Sequence, residues 1–346
     1  MKLKYSVGGA AMSAMLSWSC ATNVDATDPD VDSRNSIELS AALTATLNDA
    51  GESAPESMRP TRKRMQYLRE FYKHFATGRG VAAAAMLPAT LTWSHTGYRA
   101  SVIPFAGDYT GERAHRDYFR EYFNAISIRQ YQFQYELKAN RHVSWHFRLV
   151  AFVPATGKTF DAEFIHVWTF DDEDRPLAVR TYYDTQVELQ ALTPGGQALV
   201  TDLKNPTDDY RVLPTGYDID SLVRTVYDRF YAGEIPAVLS MLADDAAVYF
   251  KGQDFPFAGT YVGKPELLQF VYNLAGTALP YDIQRYQITE GNRTDVVLYE
   301  NWQVFATGKA FHCHTINAWR INEQGLLMGF GNAPDTDAVA QAYVPE

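Results

Sequence analysis

Apolar side chains between Arg64 and Ala76 fall at Met65, Leu68, Phe71, Tyr72 and Phe75, three or four positions apart, and predict a helix with one core-facing stripe. A short alanine-rich helix follows over Val81–Leu87 and stops at Pro88. Leu91–His95 alternates apolar with polar positions, as a strand with one buried face does. Glu112–Ile126 returns to helical spacing, and four strands are predicted over Gln130–Asn140, His142–Pro154, Thr159–Asp171 and Pro176–Asp184. The same order is predicted again downstream, with helices over 219–232, 235–242 and 264–275 and strands over 246–251, 282–290, 294–306, 309–321 and 326–331. Helices first and long antiparallel strands afterwards predict the α+β class, with helices packed on one face of a curved sheet.

The recurrence is literal. Pro104-Phe-Ala-Gly-Asp-Tyr-Thr-Gly111 returns as Pro256-Phe-Ala-Gly-Thr-Tyr-Val-Gly263, 152 residues on. Thr156-Gly-Lys-Thr-Phe160, with Ile165 and Trp168, returns as Thr307-Gly-Lys-Ala-Phe311, with Ile316 and Trp319, and Asp184-Thr185 returns as Asp335-Thr336; both shifts are 151. Phe71-Tyr-Lys-His-Phe75 parallels Val226-Tyr-Asp-Arg-Phe230 at a shift of 155. Anchors in one order at nearly constant spacing mark a duplication. The chain then divides into an amino-terminal signal (1–20), a polar and acidic tether (21–58), a first unit (59–192), a linker carrying Gly195-Gly196, Pro206 and Pro214 (193–217), and a second unit (218–346).

Three segments carry a family resemblance. Tyr-x-x-Phe in the first helix, Pro-Phe-Ala-Gly-x-Tyr-x-Gly before the third, and Gly-Lys-x-Phe-(x)5-His-x-Trp leading to Tyr-Tyr-Asp-Thr resemble the SnoaL-like family of the nuclear transport factor 2-like, or ketosteroid isomerase-like, superfamily. The resemblance covers nearly all of both copies. It implies two tandem cone-shaped α+β units, each with an apolar cavity between its helices and its concave sheet. It implies fold far more than activity, because this fold hosts isomerases, cyclases, epoxide hydrolases and pure binding proteins. The two copies are also expected to pack as a pseudo-dimer within one chain, leaving the protein a monomer.

Composition narrows the partners. Among 346 residues, 22 Tyr, 19 Phe and 6 Trp exclude a wholly disordered chain. Lys and Arg number 31 against 41 Asp and Glu, a net charge of −10 that works against nucleic acid as a partner. Met1-Lys-Leu-Lys, the uncharged run Val7–Leu16 and the small residues Ser17, Ser19 and Ala21 have the layout of a secretory signal, too short in its apolar part to span a bilayer. Leu16-Ser-Trp-Ser-Cys20 resembles a bacterial lipoprotein box, which would make Cys20 a lipidated first residue and that anchor the sole membrane contact; ordinary cleavage after Ala21 is the alternative. Either implies export, to the periplasm or to the outer membrane as a lipoprotein. Cys313 is then the remaining thiol and reads as a buried small hydrophobe, which leaves no cysteine-based metal site.

The candidate chemistry sits on the strands. Phe160, Ala162, Phe164, His166, Trp168 and Phe170 share one face, so His166 is either a pocket acid/base or a satisfied core histidine. Its carboxylate partner would be Asp184, which shares a face with Arg180 and Tyr182, although a capping role for Asp184-Thr185 fits equally. His95 is a second candidate base, or else an edge histidine. Trp93, Phe164, Trp168, Tyr182, Tyr72 and Tyr109 complete the expected lining of the first unit. In the second unit Asn317 replaces His166, and Glu300, Trp302 and Trp319 join it as ligand-facing candidates; Asp254 is a further carboxylate. His312 and His314 fall on the opposite face, a conceivable metal pair without a third ligand, so no metal is expected. No phosphate loop, dinucleotide fingerprint or nucleophile elbow occurs, and no organic cofactor is implied. The expectation is a small hydrophobic molecule held in a pocket of several hundred Å3. Two functions remain open: cofactor-free acid/base chemistry of isomerase, cyclase or hydratase/hydrolase type in the first unit, or binding without catalysis.

Overall fold

The structure, a computed structural model, describes residues 62–97, 102–202 and 210–345. The signal, the tether and Cys20 lie outside the described residues. Unit one runs α1 (Arg62–Ala76), α2 (Gly80–Met86), β1 (Thr92–His95), β2 (Gly107–Thr110), α3 (Glu112–Ala125), β3 (Ser127–Ala139), β4 (His142–Val153), β5 (Lys158–Phe170), β6 (Pro176–Tyr183) and α4 (Thr185–Leu192). A short β7 (Leu199–Thr201) follows. Unit two runs α5 (Ile219–Tyr231), α6 (Ile235–Ser240), β8 (Leu242–Phe250), β9 (Gly259–Val262), α7 (Lys264–Ala275), β10 (Ala278–Glu290), β11 (Arg293–Val304), β12 (Ala310–Ile321), β13 (Leu327–Pro334) and α8 (Thr336–Tyr343).

The sheets are ordered β2-β1-β6-β5-β4-β3 and β9-β8-β13-β12-β11-β10, so each of β1–β6 has its counterpart at the same place in the second sheet, and β7, which pairs with β5, is an addition to the first. Neighbours pair antiparallel except β1 with β6, β8 with β13, and β7 with β5. Each unit is therefore α+β, a curved and mostly antiparallel sheet with its helices on the concave side. The inner faces and helices bury one apolar cluster per unit, and a third cluster, including Tyr135, Ile165, Val167, Tyr182, Ile288 and Ile316, lies where the convex faces of the two sheets meet.

Most predicted elements lie within a few residues of the observed ones. Differences fall at three places. The residues after each Pro-Phe-Ala are strands, β2 and β9, entered through Gly107 and Gly259 at φ +137° and +139°, which favour a residue without Cβ. The helices α4 and α8 were not expected. The segment read as a linker contributes β7 to the first sheet, and Tyr210, within it, stacks on Tyr135. No helix among the described residues is long and apolar enough to cross a membrane.

Candidate functional site

The duplicated scaffold encloses different interiors. On β5 and β4, Phe164 pairs with Phe147 and His166 with Trp145; at the same register of β12 and β11, Thr315 pairs with Leu298 and Asn317 with Val296. Trp93 on β1 corresponds to Val248 on β8, each beside the equivalent residue of the neighbouring parallel strand. Phe71 of α1 corresponds to Val226 of α5. Five large rings in unit one thus correspond to smaller side chains in unit two: Trp93, Phe71, Phe147, Phe164 and Trp145. Close packing makes such volume differences appear as space.

Unit one is filled. His166 is 2% exposed, and the rings of Phe75, Trp93 and Phe147 surround it with centroids 4.9–5.9 Å away. Its Nδ1 lies 2.9 Å from the Tyr72 hydroxyl, which also accepts Trp168 Nε1–H at 2.9 Å. Burial, with His95 as a neighbouring group, holds His166 well below the usual imidazole range, so it is neutral near pH 7. The expected His166–Asp184 dyad is not formed. Asp184 caps α4 instead, accepting from Gln186 N–H at 3.2 Å and from the Thr336 hydroxyl at 2.5 Å. Tyr182 belongs to the seam between the units rather than to a pocket, because β6 is buried on both faces and its outer one meets unit two. Trp93, Phe164 and Trp168 are core, and Tyr109 packs beside Tyr118 at its rim.

His95 is not an edge histidine. It is 3% exposed, with Nδ1 at 2.9 Å from the Tyr118 hydroxyl and Nε2 at 3.0 Å from the Tyr183 hydroxyl and 3.2 Å from Glu188 Oε2. Glu188 also accepts the Tyr183 hydroxyl proton. This buried knot ties α4 to β1. Glu188 escaped the sequence reading because its helix did.

Unit two holds a cavity of about 110 Å3, lined chiefly by apolar side chains of α5, α6, α7 and the inner sheet. An apolar cavity of about 150 Å3 accepts benzene, so this one suits a small ring or branched chain, not the several hundred Å3 expected. Neither this cavity nor a second one in the seam is lined by His95, His166 or Asp184. Glu300, Trp302, Asn317 and Trp319 all line it. Burial pushes the Glu300 carboxyl up to about 7. Asn332 Nδ2 donates to Asn317 Oδ1 at 2.6 Å, Asn317 Nδ2 donates to the Tyr227 hydroxyl at 2.6 Å, and Trp319 Nε1 donates to the same oxygen at 3.2 Å. Both lone pairs of Tyr227 are thereby used, and its own proton has no acceptor among the described residues. An imidazole can accept the matching Tyr72 proton in unit one; an amide NH2 cannot. The replacement of His166 by Asn317 leaves Tyr227, which lines the cavity, with an unspent hydroxyl proton. Tyr227 and Asn332 went unnoticed in the sequence; the repeat alignment of Tyr227 with Tyr72 was the available signal.

Cys313 is a buried free thiol in the same lining, pushed up chiefly by burial. Asp254 is exposed, in a left-handed turn at φ +66°. No group of three or more His, Cys, Asp or Glu residues among the described residues is placed to hold a metal.

No family model matches the chain, and no curated protein matches it. Solved structures do. An NTF2-like protein from Burkholderia xenovorans LB400 is 20% identical over 36% of this chain and 94% of its own, with a TM-score of 0.33. A protein with a ketosteroid isomerase-like fold from Catenulispora acidiphila DSM 44928, in complex with trimethylamine, is 13% identical over 39% of this chain and 96% of its own, with a TM-score of 0.30. TerC, co-crystallised with polyporic acid, is 13% identical over 37% of this chain and 97% of its own, with a TM-score of 0.33.

Proposed function

We propose that the protein binds a small, uncharged, largely apolar molecule in unit two, and that unit one serves as its packed counterpart. The observation that carries this reading is the apolar cavity of about 110 Å3 into which Tyr227 presents an unspent hydroxyl proton and Glu300 a protonatable carboxyl. An apolar wall gives affinity through burial, and a few polar groups fix orientation. The Tyr227 donor selects a guest with an acceptor oxygen, such as a carbonyl. A carboxylate guest is disfavoured whenever Glu300 is ionised. The Met1–Ala21 pattern supports a site of action beyond the cytoplasmic membrane.

Cyclohexanone is a suitable probe. Titrated against the protein while the fluorescence of Trp302 and Trp319 is followed, it is expected to give a saturable change; a linear response with no saturation contradicts the reading.

One observation favours catalysis as a second reading. A carboxyl titrating near 7 has the property of a general acid/base at neutral pH. Proton exchange at the carbon next to the carbonyl would then be faster with the protein than without it. Deuterium uptake by cyclohexanone in D2O, followed by NMR, measures this, and Glu300→Gln should abolish it. Uptake equal to the protein-free rate leaves binding alone.

A further inference from the structure

The duplication leaves a second cavity in the seam, where side chains present in unit one are missing from unit two. Ala178, Arg180 and Tyr182 of β6 return, 151 residues on, as Gly329, Gly331 and Ala333 of β13. A Cβ placed on Gly331 would meet nothing within 4 Å. A cavity of about 60 Å3 lies there, lined by these three residues and, from unit one, by Tyr135, His146 and Glu163. That is about two-fifths of the volume that accepts benzene, so a guest here has only a few non-hydrogen atoms. Strand β13 divides it from the interior cavity of unit two, since Gly329, Phe330 and Asn332 border both.

The same divergence charges the cavity wall. His142 and Thr169 are register partners on β4 and β5, with His142 Nδ1 at 3.2 Å from Thr169 Oγ1. Their counterparts 151 residues on are Arg293 and Arg320, register partners on β11 and β12, and both line the cavity. A neutral, hydrogen-bonded pair has become two like charges directly opposite each other, which repel. Arg293 is held in place: its Nε donates to the Arg211 carbonyl at 3.0 Å, and its guanidinium lies 4.5 Å over the Tyr135 ring. Arg320 is half-buried and has no hydrogen-bond or ion-pair partner among the described residues.

The carboxylate in the lining does not relieve this. Glu163 accepts from the Tyr210 hydroxyl at 2.6 Å, Gln134 Nε2 at 2.9 Å and Lys251 Nζ at 3.2 Å. Lys251 also lines the cavity and gives a second N–H to Asp202, while its third has no partner among the described residues. We propose that this cavity binds a small oxyanion, a carboxylate or a phosphate, against Arg320, between it and Arg293 and within reach of Lys251. One negative charge there turns the repulsion of the two guanidiniums into a shared attraction, and the planar fork of Arg320 takes two oxygens at once.

Thermal unfolding of the full chain tests the site, with sodium acetate and sodium phosphate compared in turn against sodium chloride at matched ionic strength. The melting temperature is expected to rise saturably with acetate, phosphate or both, as for a ligand that binds the folded state alone. An acetate-only response assigns a carboxylate, a phosphate-only response a phosphate-bearing guest, and a response to both an oxyanion site that accepts either. Arg320→Gln removes the charge and should abolish the rise. Gly331→Val fills the space with Arg320 intact and should abolish it as well. Arg175→Gln, at an exposed ion pair, should keep it. Should one of the two cavity variants not fold, the other decides alone. No rise beyond the chloride control, or a rise that survives either cavity substitution, overturns the proposal.

Discussion

Thr185 donates its hydroxyl proton to Asp335 across the seam at 2.7 Å, and the duplication returns the bond, Thr336 to Asp184, at 2.5 Å. Each threonine also accepts a backbone N–H from the opposite helix: Gln186 N–H reaches Thr336, and Asp337 N–H reaches Thr185, both at 2.9 Å. Helices α4 and α8 thus share their caps. Related residues meeting in reciprocal pairs is how a two-fold interface works between subunits, and here it operates within one chain. Ser144 and Asp295, themselves 151 residues apart, are hydrogen-bonded to each other in the same seam.

Removing one of these hydroxyls takes the shortest donor from a buried carboxyl oxygen and one acceptor from a buried N–H together. Thr185→Val is expected to destabilise the chain by about 1–3 kcal/mol, and Thr336→Val by a similar amount. Denaturant unfolding measures both. A change below about 0.5 kcal/mol in each would show that the shared caps contribute nothing to holding the units together.

The same carboxyls give the seam a pH signature. Burial raises Asp335 to about 6 against an ordinary value near 3.8. Between those values the folded chain holds a proton that the unfolded chain has released, so this group's contribution to stability falls as pH rises through the window. The shift of roughly two units corresponds to about 3 kcal/mol. Asp335→Asn lacks the effect. The stability of the unsubstituted protein relative to this variant should therefore drop between pH 4.5 and 7.5, measured by urea unfolding at both, and a pH-independent difference would contradict the assignment.

Lys251 is 5% exposed and bonds Asp202 at 2.8 Å as well as Glu163. Burial would lower its ammonium, but the two carboxylates outweigh that and raise it. Lys251→Met leaves both carboxylates uncompensated and should cost about 3–5 kcal/mol. Adding Glu163→Gln and Asp202→Asn should recover much of the loss. If the single variant unfolds no more easily than the unsubstituted chain, the triad is not the buried network described.

How far the sequence reaches is clear from particular residues. The strands and α1 were legible because a one-sided apolar pattern survives whatever the other unit does. Helix α4 was not, since Thr185, Gln186 and Glu188 are all buried and bonded, which erases the polar face that marks a surface helix. Tyr182 was placed in a pocket because β6 alternates between two buried sides, and alternation alone does not say which is the core. Asp184-Thr185 was readable as a cap but not as one half of a pair. The better pocket was recoverable in principle. Trp93, Phe71 and Phe164 align with Val248, Val226 and Thr315, and the lost ring volume points to unit two.

The central claim, that the guest belongs to unit two and not to the histidine of unit one, is tested most directly by calorimetric titration of cyclohexanone into Tyr227→Phe and His166→Gln. Tyr227→Phe is expected to weaken binding by about tenfold, the worth of one buried hydrogen bond, with His166→Gln within a factor of about two of the unsubstituted protein. Affinity lost in His166→Gln and kept in Tyr227→Phe would place the site in the wrong half of the molecule and overturn the account.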